Sequence, residues 1–320
     1  MFPLFKLKKS YYHVNAKSRF ISSPLNVPSR TKRVWIGLIF DWLLILAMFG
    51  ISQWFFLVPK PPVAYFRVDD EDYMRPEIPE IISSGVAGFL SGGVPLIILL
   101  ILQVLFFWNK WDLYHMVTGH ATSVAFSLVF TSLFWITVGS HLGLRPYFLT
   151  KCQPDVHRLS PDIIYYTADI CTQPLKKFDF QGFPSGHASN AFAGWVFFVL
   201  YLNSKLKPWN GTAYVWKGLV LTLPLALATW VALTRVRDFR HFPFQIILGS
   251  LIGIASAILS YRLNFVVFGW FLGPGDGNDH IPARYQYLAA KKDVPNANGT
   301  GKREVEEVTQ AHNPAATQMV

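Results

Sequence analysis

"WKGLVLTLPLALATWVALTRVRDFRHFPFQIILGSLIGIASAILSY", residues 216–261, holds two long apolar runs joined by a short basic turn. Each run, Trp216–Leu233 and Phe244–Tyr261, has close to the ~17 to 25 residues that a helix needs to cross a bilayer. The turn carries three arginines and a histidine, which are Arg235, Arg237, Arg240 and His241. The stretch therefore predicts two membrane helices whose connection concentrates positive charge beside the bilayer.

Four more apolar runs precede this pair, and they are Val34–Val58, Val86–Trp108, Met116–Val138 and His187–Leu202. The composition, 52% hydrophobic and 15% charged, is typical of an integral membrane protein and not of a soluble domain. We therefore expect an all-α, polytopic membrane protein with a bundle of six transmembrane helices within residues 34–272. The run Leu263–Leu272 is too short to span and is predicted to lie at the interface or to pack against the bundle.

The formal net charge of +10 is concentrated at the N-terminus. Residues 1–33 contain no acidic residue, and their cations are Lys6, Lys8, Lys9, Lys17, Arg19, Arg30, Lys32 and Arg33. A basic tail beside a hydrophobic span favours the cytosolic side and contact with anionic lipids, so the predicted partner is the membrane surface and not nucleic acid. We expect an uncleaved, multi-pass protein of an endomembrane (ER, Golgi or vacuole) or the plasma membrane, with both termini in the cytosol.

This orientation places alternate connections on the outer or lumenal side, namely Pro59–Glu80, Ser140–Pro184 and Thr234–Pro243. Residues 273–320 mix Gly, Pro, Asn and both charges without periodicity, which predicts a disordered cytosolic tail. Cys152 and Cys171 lie in the same outer connection. An oxidising compartment would allow a disulfide there, and two independent thiols are the alternative.

"FPSGHASN", residues 183–190, has the pattern of a helix start on the outer side. Pro184 suits the first turn of a helix, and the N–H groups of Ser185, Gly186 and His187 would then be free at the positive end of the dipole. Such an end binds phosphate readily. The alternative is that Ser185 only caps its own helix.

Arginines at the outer ends of two spans oppose the usual charge bias of membrane proteins. Arg145 follows the third span and Arg235 follows the fifth. Guanidinium groups match phosphate oxygens bidentately, so both side chains are candidates for binding an anion. Lipid headgroups are the alternative partners, above all for Arg237 and Arg240.

Two histidines, His187 and His241, would border the same anion if these helix ends converge. Two imidazoles suit in-line displacement at phosphorus, because one can attack while the other protonates the leaving oxygen. A metal site is not expected. The acidic run Asp69–Asp72 is predicted to be a solvated loop, and His115 and His120 do not share one helical face.

The ordered triple of Arg145-Pro146, Pro184–His187 and Arg235-x5-His241 resembles the type-2 phosphatidic acid phosphatase superfamily, specifically its membrane lipid phosphate phosphatases. "LRPYFLTKCQPD" is similar to the fungal form of the first motif. The resemblance covers residues 34–261, and the ordered triple is far more specific than any one motif.

The resemblance implies that His241 is the nucleophile, which forms a phosphohistidine, and that His187 is the general acid for the leaving alcohol. It implies a phosphate site made by Arg145, Ser185, Gly186 and Arg235. It also implies chemistry at the outer or lumenal face without a metal or other cofactor.

Two positions depart from the family pattern. Val138 stands where the first motif has lysine, and Gln245 stands where the third motif has aspartate. His141 is a candidate to replace the lost cation if its stretch is helical. Gln245 can orient the histidine through its carbonyl but brings no charge, and Asp238 is a candidate to supply one.

The favoured function is a metal-independent lipid phosphate phosphatase of phospholipid metabolism, acting on phosphatidic acid, lysophosphatidic acid, diacylglycerol pyrophosphate or a similar amphiphile. One alternative is a catalytically impaired relative that binds lipid phosphates or partner proteins, to which Val138 and Gln245 point. Another is a lipid phosphotransferase with an alcohol in place of water. A transporter would need ionisable residues within several spans, and Asp41 is the clearest candidate.

Overall fold

In the computed structural model the described part of the chain runs from residue 28 to residue 265, without 59, 61, 108, 109, 139, 207 and 209–214. Most of the basic tail, the predicted C-terminal tail and most of the run Leu263–Leu272 lie outside it. The domain boundaries at residues 33 and 272 therefore stay predictions.

Six long helices make up most of the described chain. They are α1 (Pro28–Leu57), α2 (Ser84–Phe107), α3 (Lys110–Thr137), α4 (Gly186–Leu206), α5 (Val215–Arg237) and α6 (Pro243–Asn264). Among the described helices, five are long and apolar enough to cross a membrane, and α4 is the exception. The all-helical membrane fold is as predicted. Helix α4 is the counterpart of the sixth predicted span, and its 21 residues extend ~31 Å at ~1.5 Å per residue.

Helix α4 lies at the centre of the bundle, which explains its lower hydropathy. It packs most extensively against α6, and also against α3 and α5, while α1 packs against α3. Glycines on α6 permit the close approach to α4. A Cβ at Gly249 would lie 2.5 Å from the Ser185 carbonyl oxygen, and one at Gly253 would lie 2.3 Å from that of Ser189. Polar residues of α4 are thus kept from lipid by neighbouring helices.

A buried polar network ties the helices at the end opposite the phosphate motifs. Lys205 Nζ lies 2.7 Å from an Asp112 carboxylate oxygen, and both side chains are under a tenth exposed. The Tyr201 hydroxyl donates to the same carboxylate at 2.6 Å, and Gln103 joins through its amide nitrogen. Because a buried charge is costly unless it is paired and hydrogen-bonded, this network fixes the register of α2, α3 and α4.

The three connections predicted to share one face are packed together at the other end. Their short helices are Glu71–Tyr73, Ser140–Gly143, Phe148–Cys152, Val156–Arg158, Ala168–Ile170 and Lys177–Phe180. Phe66 pairs with Tyr166 in an isolated β-bridge, and Phe66 and Phe148 belong to a separate apolar core. The Sγ atoms of Cys152 and Cys171 are 1.91 Å apart in a disulfide. We call these three packed connections the cap, and the candidate site lies next to them.

Candidate active site

A cavity of about 380 Å³ lies between the cap and the helix ends. Its polar wall is formed by Glu80, Arg145, Gln181, His187, Asn190, Arg235, Arg240 and His241. Its apolar wall includes Phe56, Ala87, Gly88 and Trp135, from α1, α2 and α3. Among the described residues no group of three or more His, Cys, Asp and Glu side chains is placed to hold a metal ion.

His241 is buried in the turn between α5 and α6, with its two ring nitrogens in different surroundings. Nδ1 lies 2.9 Å from the Gly182 carbonyl oxygen and 3.0 Å from Gln245 Oε1, both of which only accept hydrogen bonds. Nε2 lies 3.3 Å from Nη1 of Arg145, a group that only donates. The proton of the neutral ring therefore lies on Nδ1, and the Nε2 lone pair faces Arg145, which also lines the cavity.

Gln245 is fully buried in the first turn of α6, and its amide orientation is fixed by four partners. Nε2 donates to the carbonyl oxygens of Leu142 and Leu144, each at 3.0 Å. Oε1 accepts from Nδ1 of His241 and from the Phe242 N–H. The side chain thus joins the histidine turn to the segment that carries Arg145.

The electrostatic setting favours a neutral His241. Burial, followed by the positive charge of Arg145 and the neighbouring His187, holds the pKa of His241 well below its usual range. The hydrogen bonds that Nδ1 donates to Gln245 and Gly182 raise the pKa but are the smaller effects. An unprotonated Nε2 is the form in which imidazole is a nucleophile.

His187 lies in the first turn of α4, on the other side of the cavity. The rings of His187 and His241 have centroids 6.4 Å apart, and Nε2 of His187 is buried without a hydrogen-bond partner. Gly186 is packed against Trp135, whose ring carbon would lie 3.0 Å from an added Cβ. Ser185 lies behind this wall, and its Oγ accepts from the Ala188 N–H as an N-cap. Of the predicted helix-start residues, Gly186 and His187 line the cavity while Ser185 shapes the turn.

Three guanidinium groups reach the cavity. Arg145 donates to the carbonyl oxygens of Phe178 and Arg240, both at 2.8 Å. Arg235 is fully buried and pairs with Asp238 at 2.9 Å. The Nη1 atom of Arg235 and the Nε atom of Arg240 are buried without a hydrogen-bond partner. Each lies 3.5 Å from a carboxylate oxygen of Glu80, an ion pair without a short hydrogen bond, so both donors could still bind an anionic ligand.

Comparisons with known proteins agree with this geometry. Residues 116–268 match the PAP2 superfamily model, which takes in the segments that hold Arg145, His187, Arg235 and His241. Residues 116–268 of this chain therefore belong to the PAP2 superfamily.

Similar proteins are found in an amoeba, a yeast and a plant. A PA-phosphatase related-family protein of Dictyostelium discoideum is 30% identical over 236 residues, which are 70% of this chain and 63% of the relative. Diacylglycerol pyrophosphate phosphatase 1 of Saccharomyces cerevisiae is 37% identical over 139 residues, 42% of this chain and 48% of that protein. Probable lipid phosphate phosphatase 4 of Arabidopsis thaliana is 28% identical over 265 residues, 80% of each chain. The chain thus spans less than two thirds of the first and about half of the second, and no solved structure matches it.

Both departures from the PAP2 pattern have a structural context. Val138 follows the end of α3, and the cavity wall does not include it. His141 lies in a 3₁₀ turn and so is not on an α-helical face with Arg145. Asp238 contacts Arg235 and the Ile81 N–H, not His241, so it is not the missing carboxylate partner.

The structure adds residues that the sequence motifs did not indicate. Arg240, expected to meet lipid headgroups, lines the cavity, as do Gln181, Asn190 and Tyr147. Burial raises the pKa of Tyr147 to about 12, so its hydroxyl stays protonated, and it donates to Asp179. Glu80, at the end of the outer connection Pro59–Glu80, also reaches the site. Arg240 stands next to His241, and Asn190 and Tyr147 lie within the quoted motifs, whereas Gln181 and Glu80 lie outside them.

Proposed function

We propose that this PAP2 protein is a lipid phosphate phosphatase that works through a phosphohistidine on His241. The observation that carries the proposal is the fixed tautomer of His241, with an unprotonated Nε2 directed into a cavity beside three guanidinium groups. A phosphoryl group there would meet a nucleophile, an acid and several charge-stabilising donors.

In the first step Nε2 of His241 attacks phosphorus and the bond from phosphorus to the leaving oxygen breaks. The protonated form of His187 gives its proton to that oxygen and an alcohol departs. The negative charge of the bound phosphoryl group, which opposes the charges of Arg145 and Arg235, favours that protonated form. In the second step neutral His187 takes a proton from water, whose oxygen attacks phosphorus as the phosphorus–nitrogen bond breaks. Arg145, Arg235 and the N–H groups at the start of α4 stabilise the equatorial oxygens.

The substrate class follows from the two walls of the cavity. The polar wall suits a phosphomonoester or pyrophosphate, while Phe56, Trp135 and the small residues Ala87 and Gly88 suit an apolar body. The relatives are named as phosphatases of PA, diacylglycerol pyrophosphate and lipid phosphates, or as proteins related to them. We therefore infer phosphatidic acid, its lyso form or diacylglycerol pyrophosphate as substrates, at the outer or lumenal face of the membrane.

A second candidate is a phosphate-binding relative without turnover. The observation that favours it is the neutral amide of Gln245 at Nδ1, because a carboxylate there would stabilise the cation that develops on His241. A phosphotransferase is the remaining variant of the same chemistry, with an alcohol replacing water in the second step.

The test is phosphate release from phosphatidic acid, lysophosphatidic acid and diacylglycerol pyrophosphate by the purified chain in detergent without magnesium. We expect His241→Ala to abolish release and His187→Ala to slow it, while His157→Ala, on an exposed cap histidine, leaves it unchanged. Labelled substrate should leave an acid-labile protein label in His187→Ala and none in His241→Ala. Equal release by wild type and His241→Ala would refute the mechanism, and phosphate binding without release would favour the second candidate.

A further inference from the structure

A short acidic segment crosses the site from the loop between α1 and α2, and we call residues 77–81 the strap. Two backbone contacts hold it in place. Arg240 Nη2 donates to the Ile78 carbonyl oxygen at 2.9 Å, and the Ile81 N–H donates to Asp238 at 2.9 Å. Both contacts come from the turn that carries His241, so this turn holds the strap in position.

The strap directs the carboxylate of Glu80 at two arginines of the site. One carboxylate oxygen lies 3.5 Å from Nη1 of Arg235, and the other lies 3.5 Å from Nε of Arg240. These nitrogens are the two buried donors that lack a hydrogen-bond partner. At 3.5 Å both contacts are longer than the ~2.7–2.9 Å of a charge-assisted hydrogen bond, so Glu80 offsets the arginine charges through long ion pairs and leaves both nitrogens without a short hydrogen-bond partner.

We propose that Glu80 is a resident anion of the phosphate site and sets its affinity for phosphate. This inference rests on the proposed function, because it takes Arg235 as a ligand of the phosphoryl group. A phosphate oxygen bonded to both free N–H groups would approach the Glu80 carboxylate, and like charges at that distance repel. The Glu80 side chain is 28% exposed, so it can turn toward solvent when phosphate enters. Binding therefore includes the displacement of one carboxylate by another anion.

The test uses inorganic phosphate as the probe and compares wild type with Glu80→Gln. Inhibition of phosphatidic acid hydrolysis gives one inhibition constant, and the rise of the unfolding temperature with phosphate gives a second affinity that needs no turnover. We expect Glu80→Gln to bind phosphate about tenfold more tightly, between the near-zero effect of an exposed ion pair and the large effect of a fully buried one. Glu71→Gln, on an exposed side chain of the same acidic loop, is the matched control and should bind as wild type does.

Glu80→Asp keeps the charge but draws it back from the arginines, and its affinity should lie between those of wild type and Glu80→Gln. Unchanged or weaker phosphate binding in Glu80→Gln would overturn the inference, as would equal tightening by Glu71→Gln. If Glu80→Gln does not fold, wild-type affinity in Glu80→Asp overturns it as well. Tighter binding in the thermal assay without any phosphate release would instead contradict the proposed function alone.

Discussion

Replacement of Gln245 by glutamate tests whether the site needs an amide or would gain from the family's carboxylate. Glutamate has nearly the same shape and keeps an acceptor for Nδ1 of His241. It cannot donate, so the carbonyl oxygens of Leu142 and Leu144 would lose a bond of 3.0 Å each and face a carboxylate. We therefore expect Gln245→Glu to damage the site.

The magnitude follows from these two lost bonds. A buried acceptor left unpaired costs about 1–3 kcal/mol, so the pair costs about 2–6 kcal/mol. At ~2–4 °C per kcal/mol, the lower limit alone lowers the unfolding temperature by about 4–8 °C. Release of the segment that carries Arg145 also shifts that side chain relative to His241, and a displacement of ~1 Å can cost ~10²-fold in rate.

The assay combines thermal unfolding with the pH dependence of kcat/KM for phosphatidic acid. A carboxylate beside Nδ1 raises the pKa of His241, so the acid limb of the profile should move to higher pH in Gln245→Glu. Gln173→Glu makes the same chemical change on an exposed side chain of the cap and should resemble wild type. Higher kcat in Gln245→Glu or Gln245→Asp, with the unfolding temperature unchanged, would refute the reasoning and show that charge outweighs the two donated bonds.

Two further predictions concern the wild-type site. Because the pKa of His241 is depressed and its neutral form is required, kcat/KM should remain high as the pH falls through ~6.5 and decline only below the ordinary histidine range; a decline centred near that value would contradict the assigned environment. Arg240→Gln removes one of three cavity guanidiniums and should weaken inhibition by inorganic phosphate about tenfold, whereas Arg237→Gln, on an exposed arginine three residues earlier, should not. Equal effects of both substitutions would indicate a general loss of positive charge.

Much of the fold could be predicted because apolar runs of bilayer length leave few alternatives. The exception is α4, which carries Ser189 and Asn190. It is long enough to cross a membrane but less apolar than the other five helices. Burial among other helices is a tertiary property that a local window cannot register. The close packing of Gly249 and Gly253 against the backbone of Ser185 and α4 also cannot be predicted before the helices are placed.

The histidines and two arginines of the site could be predicted because their motifs stand at the ends of helices that converge. Glu80 could not, since its approach to Arg235 depends on the backbone contacts of the strap, which link residues 157 positions apart. Gln245 also has a role that the motif comparison alone does not reveal. Compared with aspartate it lacks a charge, but in the structure it donates two hydrogen bonds that aspartate could not make.

The missing lysine at Val138 and the acidic strap are connected through Arg240. The backbone of Arg240 is fixed on both sides, because its N–H donates to the Arg235 carbonyl oxygen at 2.9 Å and its own carbonyl accepts from Arg145 at 2.8 Å. The turn that carries His241 therefore holds a third guanidinium at the cavity, although Val138 supplies no cation there. Three such cations in one cavity repel one another when phosphate is absent. The carboxylates of the strap offset that repulsion, which explains why this acidic segment packs against the site.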